Sequence, residues 1–151
     1  MMAESNEKGL ESLQVWQRAL AFAENVYKLV LPSLPVEEKW GLASQLRRSA
    51  SSIPANIAEG YGRYYYQDSV RFSYIARGSL EETFCHLTLA HNLRYIADEV
   101  YLPLFGEIQE LRRMLNGYIA FLKRSKRGEN EPGSATSVRE DSIPYFIDPD
   151  S

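Results

Sequence analysis

Apolar residues recur along this chain at steps of three and four, the spacing of one buried face on an α-helix. Leu13, Trp16, Leu20, Ala23, Tyr27 and Val30 form the first such row and predict a helix from Leu13 to Leu31, with Ser12 placed as its N-cap. Pro32 and Pro35 end it. A second row, Leu42, Leu46, Ser49, Ile53, Ile57 and Gly60, predicts a helix from Val36 to Gly60, with Glu37 and Glu38 in its first turn. A third helix is predicted from Gln67 to Ala97 on Phe72, Ala76, Ser79, Thr83, Leu87, Ala90 and Arg94. The fourth, from Glu99 to Lys126, carries the cleanest row: Tyr101, Leu104, Ile108, Leu111, Leu115, Tyr118 and Leu122. Pro103 then falls in its first turn, where proline is tolerated. No strand alternation and no internal repeat interrupt this pattern. Four long helices with mostly short connections predict an all-α, antiparallel up-down-up-down four-helix bundle over residues 13–126.

One residue cuts across its own row. Pro54 lies inside the second helix, where it cannot donate to the carbonyl of Ala50 and crowds it, at about 3 kcal/mol. Ser49, Ser51 and Ser52 stand just before it, placed to bond freed backbone groups near a bend. Asn56 can do the same from the other side, and Glu59 can hold Arg63 four residues on; the alternative for Asn56 and Glu59 is a polar lining of an assembly pore. Ile75, Leu80, Phe84, Phe105 and Ile119 lie off the main rows, and such surplus apolar surface suggests self-association.

Composition sharpens the picture. The 151 residues carry 17 Lys plus Arg against 20 Asp plus Glu, but the charge is split. The bundle segment has 14 basic and 11 acidic residues, whereas 127–151 has 2 basic and 6 acidic. That last segment is rich in Gly, Ser and Pro and reads as a disordered acidic tail with one apolar island, Ile143–Asp148; residues 1–12 read as a flexible N-terminus. The single cysteine, Cys85, excludes an internal disulfide and is expected as a small buried hydrophobe. There is no apolar run near 18 residues and no signal-like start, so the expected setting is the cytoplasm, without membrane.

The segment QLRRSASSIPANIAEGYGR, Gln45 to Arg63, resembles a family of small bacterial four-helix bundle proteins. The family includes proteins encoded in intervening sequences of large-subunit ribosomal RNA genes and the accessory variability determinant of diversity-generating retroelements. LQVWQRALAFAENVYKL (Leu13–Leu29) is similar to its opening helix. LPVEEKWGLASQLRRSA (Leu34–Ala50) continues the match, with Glu38, Gly41 and Gln45 in family-like positions. RFSYIARGSLEET (Arg71–Thr83) is similar to its third-helix signature, and Pro54, Asn56, Glu59 and Gly60 fall in the central motif. The resemblance implies a homopentameric barrel-like assembly and no catalytic activity. For the retroelement member it implies binding to a reverse transcriptase and, through a markedly basic surface, to nucleic acid.

The candidate chemistry is therefore binding. Candidate contacts for RNA or DNA are Arg47 and Arg48 on the second helix, Arg63 after it, Arg77 and Arg94 on the third, and Arg112, Arg113, Lys123, Arg124 and Lys126 on the fourth. The competing reading gives these charges to solvation and ion pairs, with Arg77 to Glu81 and Glu110 to Arg113 at helical spacing. Tyr64, Tyr65 and Tyr66 can stack on bases or cap the bundle end. Catalysis finds no support: the two histidines form no Glu-x-x-His motif, Cys85 and His86 diverge by about 100° on a helix, and GYGR lacks the lysine of a phosphate loop. No cofactor or metal is expected.

Overall fold

A computed structural model describes residues 9–126. Four helices carry the fold: α1 (Gln14–Asn25), α2 (Leu42–Tyr61), α3 (Tyr66–Asn92) and α4 (Asp98–Ser125), with no strand among the described residues. Contacts between them pair low numbers with high ones. Tyr27 reaches the Arg47 carbonyl, Gly60 meets Ser69, Ser49 meets Thr83, and Arg77 meets Asn116. Each helix thus runs antiparallel to the one before it, in an up-down-up-down bundle. The core is one cluster, in which Phe22, Leu46, Ile53, Ile57, Leu87 and Leu115 are fully buried.

The predicted rows hold best on α2 and α4. All six positions named for α2 are buried, as are Leu104, Ile108, Leu111 and Leu115 on α4. Small side chains at Ser49, Ser52, Ser79 and Thr83 let α2 and α3 approach closely, and their hydroxyls bond across the seam: Ser52 to Ser79 at 2.9 Å, Thr83 to Ser49 at 2.9 Å. Thr83 also reaches the Ser79 carbonyl at 2.8 Å. A hydroxyl has one proton, so one of these Thr83 contacts uses the proton of Ser49.

On α1 the buried row is shifted. Val15, Ala19, Phe22 and Val26 face the core together with Ala23 and Val30, while Trp16 and Leu20 are half-buried and Tyr27 is exposed. The helix is apolar on two adjacent stripes, and periodicity alone does not choose between them. The unburied stripe has a consequence. Trp16, Leu20 and Tyr27 stand across from Pro54, Ala55 and Ala58 of α2, and large side chains facing small ones leave an open apolar groove of about 510 Å³.

Other boundaries moved for local reasons. Ser12 bonds back to Gly9 rather than capping α1, and Leu10–Ser12 form a 3-10 turn. A π-helical turn, Val26–Val30, and a 3-10 turn, Leu31–Ser33, finish the first helical stretch. Glu37 and Glu38 lie in a separate 3-10 turn, Val36–Glu38, and not in α2, which begins only after Gly41. α3 ends at Asn92 and α4 begins at Asp98, so Pro103 sits past the first turn of α4. The expectations for residues 1–8 and 127–151 lie outside the described residues.

Pro54 does not divide α2, which runs unbroken through it. Asn56 donates to the Ser52 carbonyl and Oγ, both at 2.8 Å, as its position suggested. Ser51 donates to the Arg47 carbonyl at 2.7 Å, one turn before the proline, while Ser49 and Ser52 serve the seam with α3. Cys85 is exposed on α3, contrary to its expected burial: its helix turns it away from the row Thr83, Leu87, Ala90. Leu80 and Ile119, expected as surplus surface, are fully buried, and Phe84 packs on Phe105 at 5.7 Å; only Ile75 of that group is well exposed.

Candidate nucleic-acid interface

The end of α2, the start of α3 and the end of α4 meet at one end of the bundle. The junction is tight because Gly60 lets α3 come close. A Cβ there would lie 3.0 Å from Phe72 Cβ and 3.1 Å from the Ser69 carbonyl oxygen. Ser69 Oγ closes the corner by donating to the Gly60 carbonyl at 2.8 Å. Arg63 follows directly and donates to Glu59 at 2.6 Å, the pairing its spacing predicted.

Cations collect on two rings there. The guanidinium carbons of Arg63 and Arg71 lie 5.1 and 5.6 Å from the Phe72 centroid. Arg77 and Lys123 lie 5.0 and 5.5 Å from the Tyr74 centroid. A cation on an aromatic face is oriented by the ring quadrupole but keeps its charge. Arg77 also donates to the neutral amide oxygen of Asn116 at 2.9 Å, and not to Glu81 as its spacing had suggested. Arg124 and Lys126 lie in and just past the last turn of α4, where Lys126 adopts a left-handed conformation, φ 46°. Tyr64, next to Arg63 in the sequence, is 54% exposed and meets Tyr65 edge-on at 5.2 Å, while Tyr65 and Tyr66 are half-buried.

The remaining candidates are dispersed. Arg112 grips Glu81 through two nitrogens, the second at 2.8 Å, and that hydrogen bond holds its pKa above the usual guanidinium value. Its guanidinium also covers Phe84 at 4.8 Å. Arg113 pairs with Glu110 as expected, and Arg48 is held by Glu82 and Gln45. Arg94 is not on α3: it turns the chain toward α4 at φ 64°, at the opposite end of the bundle. Arg47 is exposed on α2, far from the basic end. The arrangement thus divides the ten candidates. Arg63, Arg77, Lys123, Arg124 and Lys126 share one end, and the sequence reading missed their neighbour Arg71. Its signal was the ring beside it: Arg-Phe-Ser-Tyr places two aromatic platforms on α3 directly after the tyrosine run.

Among the described residues no group of three or more His, Cys, Asp or Glu could hold a metal ion. His86 lies 3.6 Å from Glu82, and His91 is stacked on Tyr101 at 4.1 Å with its Nε2 2.6 Å from Asp98. No described helix is long and apolar enough to cross a membrane.

Fold and surface define a small all-α four-helix bundle protein. The model of the 23S rRNA-intervening sequence protein family matches residues 11–117, and the chain belongs to that family. It is also similar to a crystal structure of a protein of unknown function from the S23 ribosomal protein family of Bacteroides thetaiotaomicron. The two share 28% identity over 70% of this chain and 97% of that one, with a TM-score of 0.63. No curated protein matches the chain.

Proposed function

We propose that this protein is a non-enzymatic, self-associating adaptor of the cytoplasm that binds nucleic acid at the end where α2, α3 and α4 meet. The observation that carries this reading is the convergence of Arg63, Arg71, Arg77 and Lys123 on the rings of Phe72 and Tyr74. Exposed Tyr64 adds a stacking surface suited to unpaired bases. Self-association would repeat this end around an axis and turn a modest charge per chain into a large collective field. Val36 and Trp40, 78% and 84% exposed, support self-association. The resemblance to the retroelement accessory protein supports a reverse transcriptase as the protein partner.

The test is a salt titration of binding to single-stranded RNA. Replacing Arg71, Lys123 and Arg124 together by Gln is expected to weaken binding and flatten the dependence of log K on log salt by up to about 2. Replacing Arg112 and Arg113 by Gln is the control, since both are held by carboxylates, and should leave the slope unchanged. No binding at about 50 mM salt would remove the reading and leave a structural homo-oligomer whose arginines serve solubility and pairing.

A further inference from the structure

The groove between α1 and α2 is walled by Trp16, Leu20 and Tyr27, floored by Pro54, Ala55 and Ala58, and encloses about 510 Å³. Its polar lining residues are already committed. Glu24 and Lys28 pair with each other at 3.9 Å, and Ser51 donates to the Arg47 carbonyl at 2.7 Å. The surface therefore suits an apolar occupant. Because the groove is open to solvent, a peptide laid in it keeps its backbone groups in reach of water.

The chain carries one matching stretch outside the bundle. Residues 143–148 read IPYFID: five apolar residues in a row, with acids before them at Glu140 and Asp141 and after them at Asp148 and Asp150. Pro144 restricts the backbone in advance, which is why aromatic-lined grooves take proline-bearing segments at low entropic cost. The lengths agree. Trp16 and Tyr27 stand eleven residues apart on the first helical stretch, about 16 Å at 1.5 Å per residue. Five extended residues cover about 16 Å as well, at roughly 3.3 Å each.

The tether also agrees. The up-down order puts the end of α4 at the same end of the bundle as the start of α1 and the end of α2, where Trp16 and Ala58 form the near end of the groove. Sixteen residues, 127–142, connect Lys126 to the apolar run. A Gly- and Ser-rich chain of that length spans about 20–24 Å on average, against about 20 Å for two interhelical spacings. A matched tether gives an effective concentration on the order of millimolar, so even a contact with a Kd of about 0.1 mM stays about nine-tenths closed. A segment entering beside Trp16 and Ala58 runs toward Tyr27, whose hydroxyl lies 3.4 Å from the Arg47 carbonyl. Arg47 is exposed there, with no ion pair among the described residues, and Asp148 follows the apolar run.

We propose that residues 143–148 occupy the α1–α2 groove of their own copy, with Asp148 at Arg47. So anchored, the tether carries Glu129, Glu131, Glu140 and Asp141 past the basic end of the bundle, where they compete with phosphate. That consequence rests on the nucleic-acid reading above; the docking itself does not.

The experiment uses the full chain in a Trp40→Phe background, which leaves Trp16 on the groove wall as the one tryptophan. Tyr145→Ser with Phe146→Ser removes the bulk of the segment at positions outside the bundle core, so the fold is retained. Releasing the segment is expected to shift Trp16 emission to longer wavelength and to raise its quenching by acrylamide. The change should be the same at low and high protein concentration, because both partners belong to one chain. Arg47→Glu is expected to give part of the same change, and adding Asp148→Arg to reverse it; failure of the reversal overturns the pairing of Asp148 with Arg47. A Trp16 signal that the tail variant leaves unchanged overturns the docking. A signal that responds to dilution and not to the tail variant gives the groove to a second copy and overturns it too.

Discussion

Gly60 and Gly78 make opposite demands on the same substitution. Both are helical, and alanine in a helix interior is favoured over glycine by about 1 kcal/mol, because glycine loses more backbone freedom on folding. At Gly78, on the exposed face of α3, a Cβ meets nothing within 4 Å. Gly78→Ala is therefore expected to stabilise the bundle by about 1 kcal/mol. At Gly60 the same Cβ falls 3.0 Å from Phe72 Cβ and 3.1 Å from the Ser69 carbonyl oxygen, and neither is the free end of a flexible side chain. The helices must part by a few tenths of an ångström. That separation also stretches the buried bond from Ser69 Oγ to the Gly60 carbonyl. Overpacking of this kind costs about 1–3 kcal/mol. The propensity gain is smaller than at Gly78, because Gly60 lies one residue from the end of α2. Gly60→Ala is therefore expected to destabilise by about 1–2 kcal/mol, and the two variants should differ by about 2–3 kcal/mol. Urea unfolding followed by circular dichroism, at one fixed protein concentration because assembly adds to apparent stability, measures both. A Gly60→Ala protein as stable as wild type would refute the close-approach argument. A destabilised Gly78→Ala protein would refute the claim that its face of α3 is open.

The seam between α2 and α3 makes a second prediction: Thr83→Val strands the buried Ser49 hydroxyl and costs about 1–2 kcal/mol, Ser49→Ala costs less because Thr83 keeps its bond to the Ser79 carbonyl, and the double variant costs clearly less than the sum. Strict additivity in that cycle would show that the hydroxyl pair is not bonded. A third concerns Glu107, whose pKa burial raises above its ordinary 4.5, against the lowering effects of the Asn25 hydrogen bond and nearby Arg18. Its folded form holds the proton more tightly than the unfolded form does, so wild-type stability relative to Glu107→Gln should rise as pH falls through the raised value and decline again as pH is restored. A pH-independent difference would contradict this. Fourth, the chain ending at Lys126 keeps every described core residue and should unfold as cooperatively as the full chain. It should also bind RNA more tightly, if the six carboxylates of 127–151 shield the basic end; unchanged affinity would remove that shielding.

The four-helix architecture was readable because most seams are apolar on one stripe only. α2 and α4 show this best: every position of the α2 row is buried, as are the four central positions of the α4 row, Leu104, Ile108, Leu111 and Leu115. α1 was misread by one stripe because Trp16, Leu20 and Tyr27 are as apolar as Val15, Phe22 and Val26, and only packing decides which set the neighbours cover. The arginines were readable as residues but not as a site. Helical spacing offered Arg77 to Glu81, yet Arg112 from α4 occupies that carboxylate. A contact across 31 positions of sequence leaves no periodic trace. The grouping of Arg71 with Lys123 on neighbouring rings depends in the same way on α3 and α4 lying side by side.

Proline inside a helix is usually counted as a loss of one hydrogen bond. On α2 it also sets the character of the groove floor. Pro54, Ala55 and Ala58 have no side-chain rotamers to freeze, so a surface that closes over them loses no conformational freedom on that side. The opposite wall, with Trp16 and Tyr27, is aromatic and has few torsions to fix. A partner that settles there therefore meets a mould already set before contact, and its own ordering accounts for most of the entropy lost on docking.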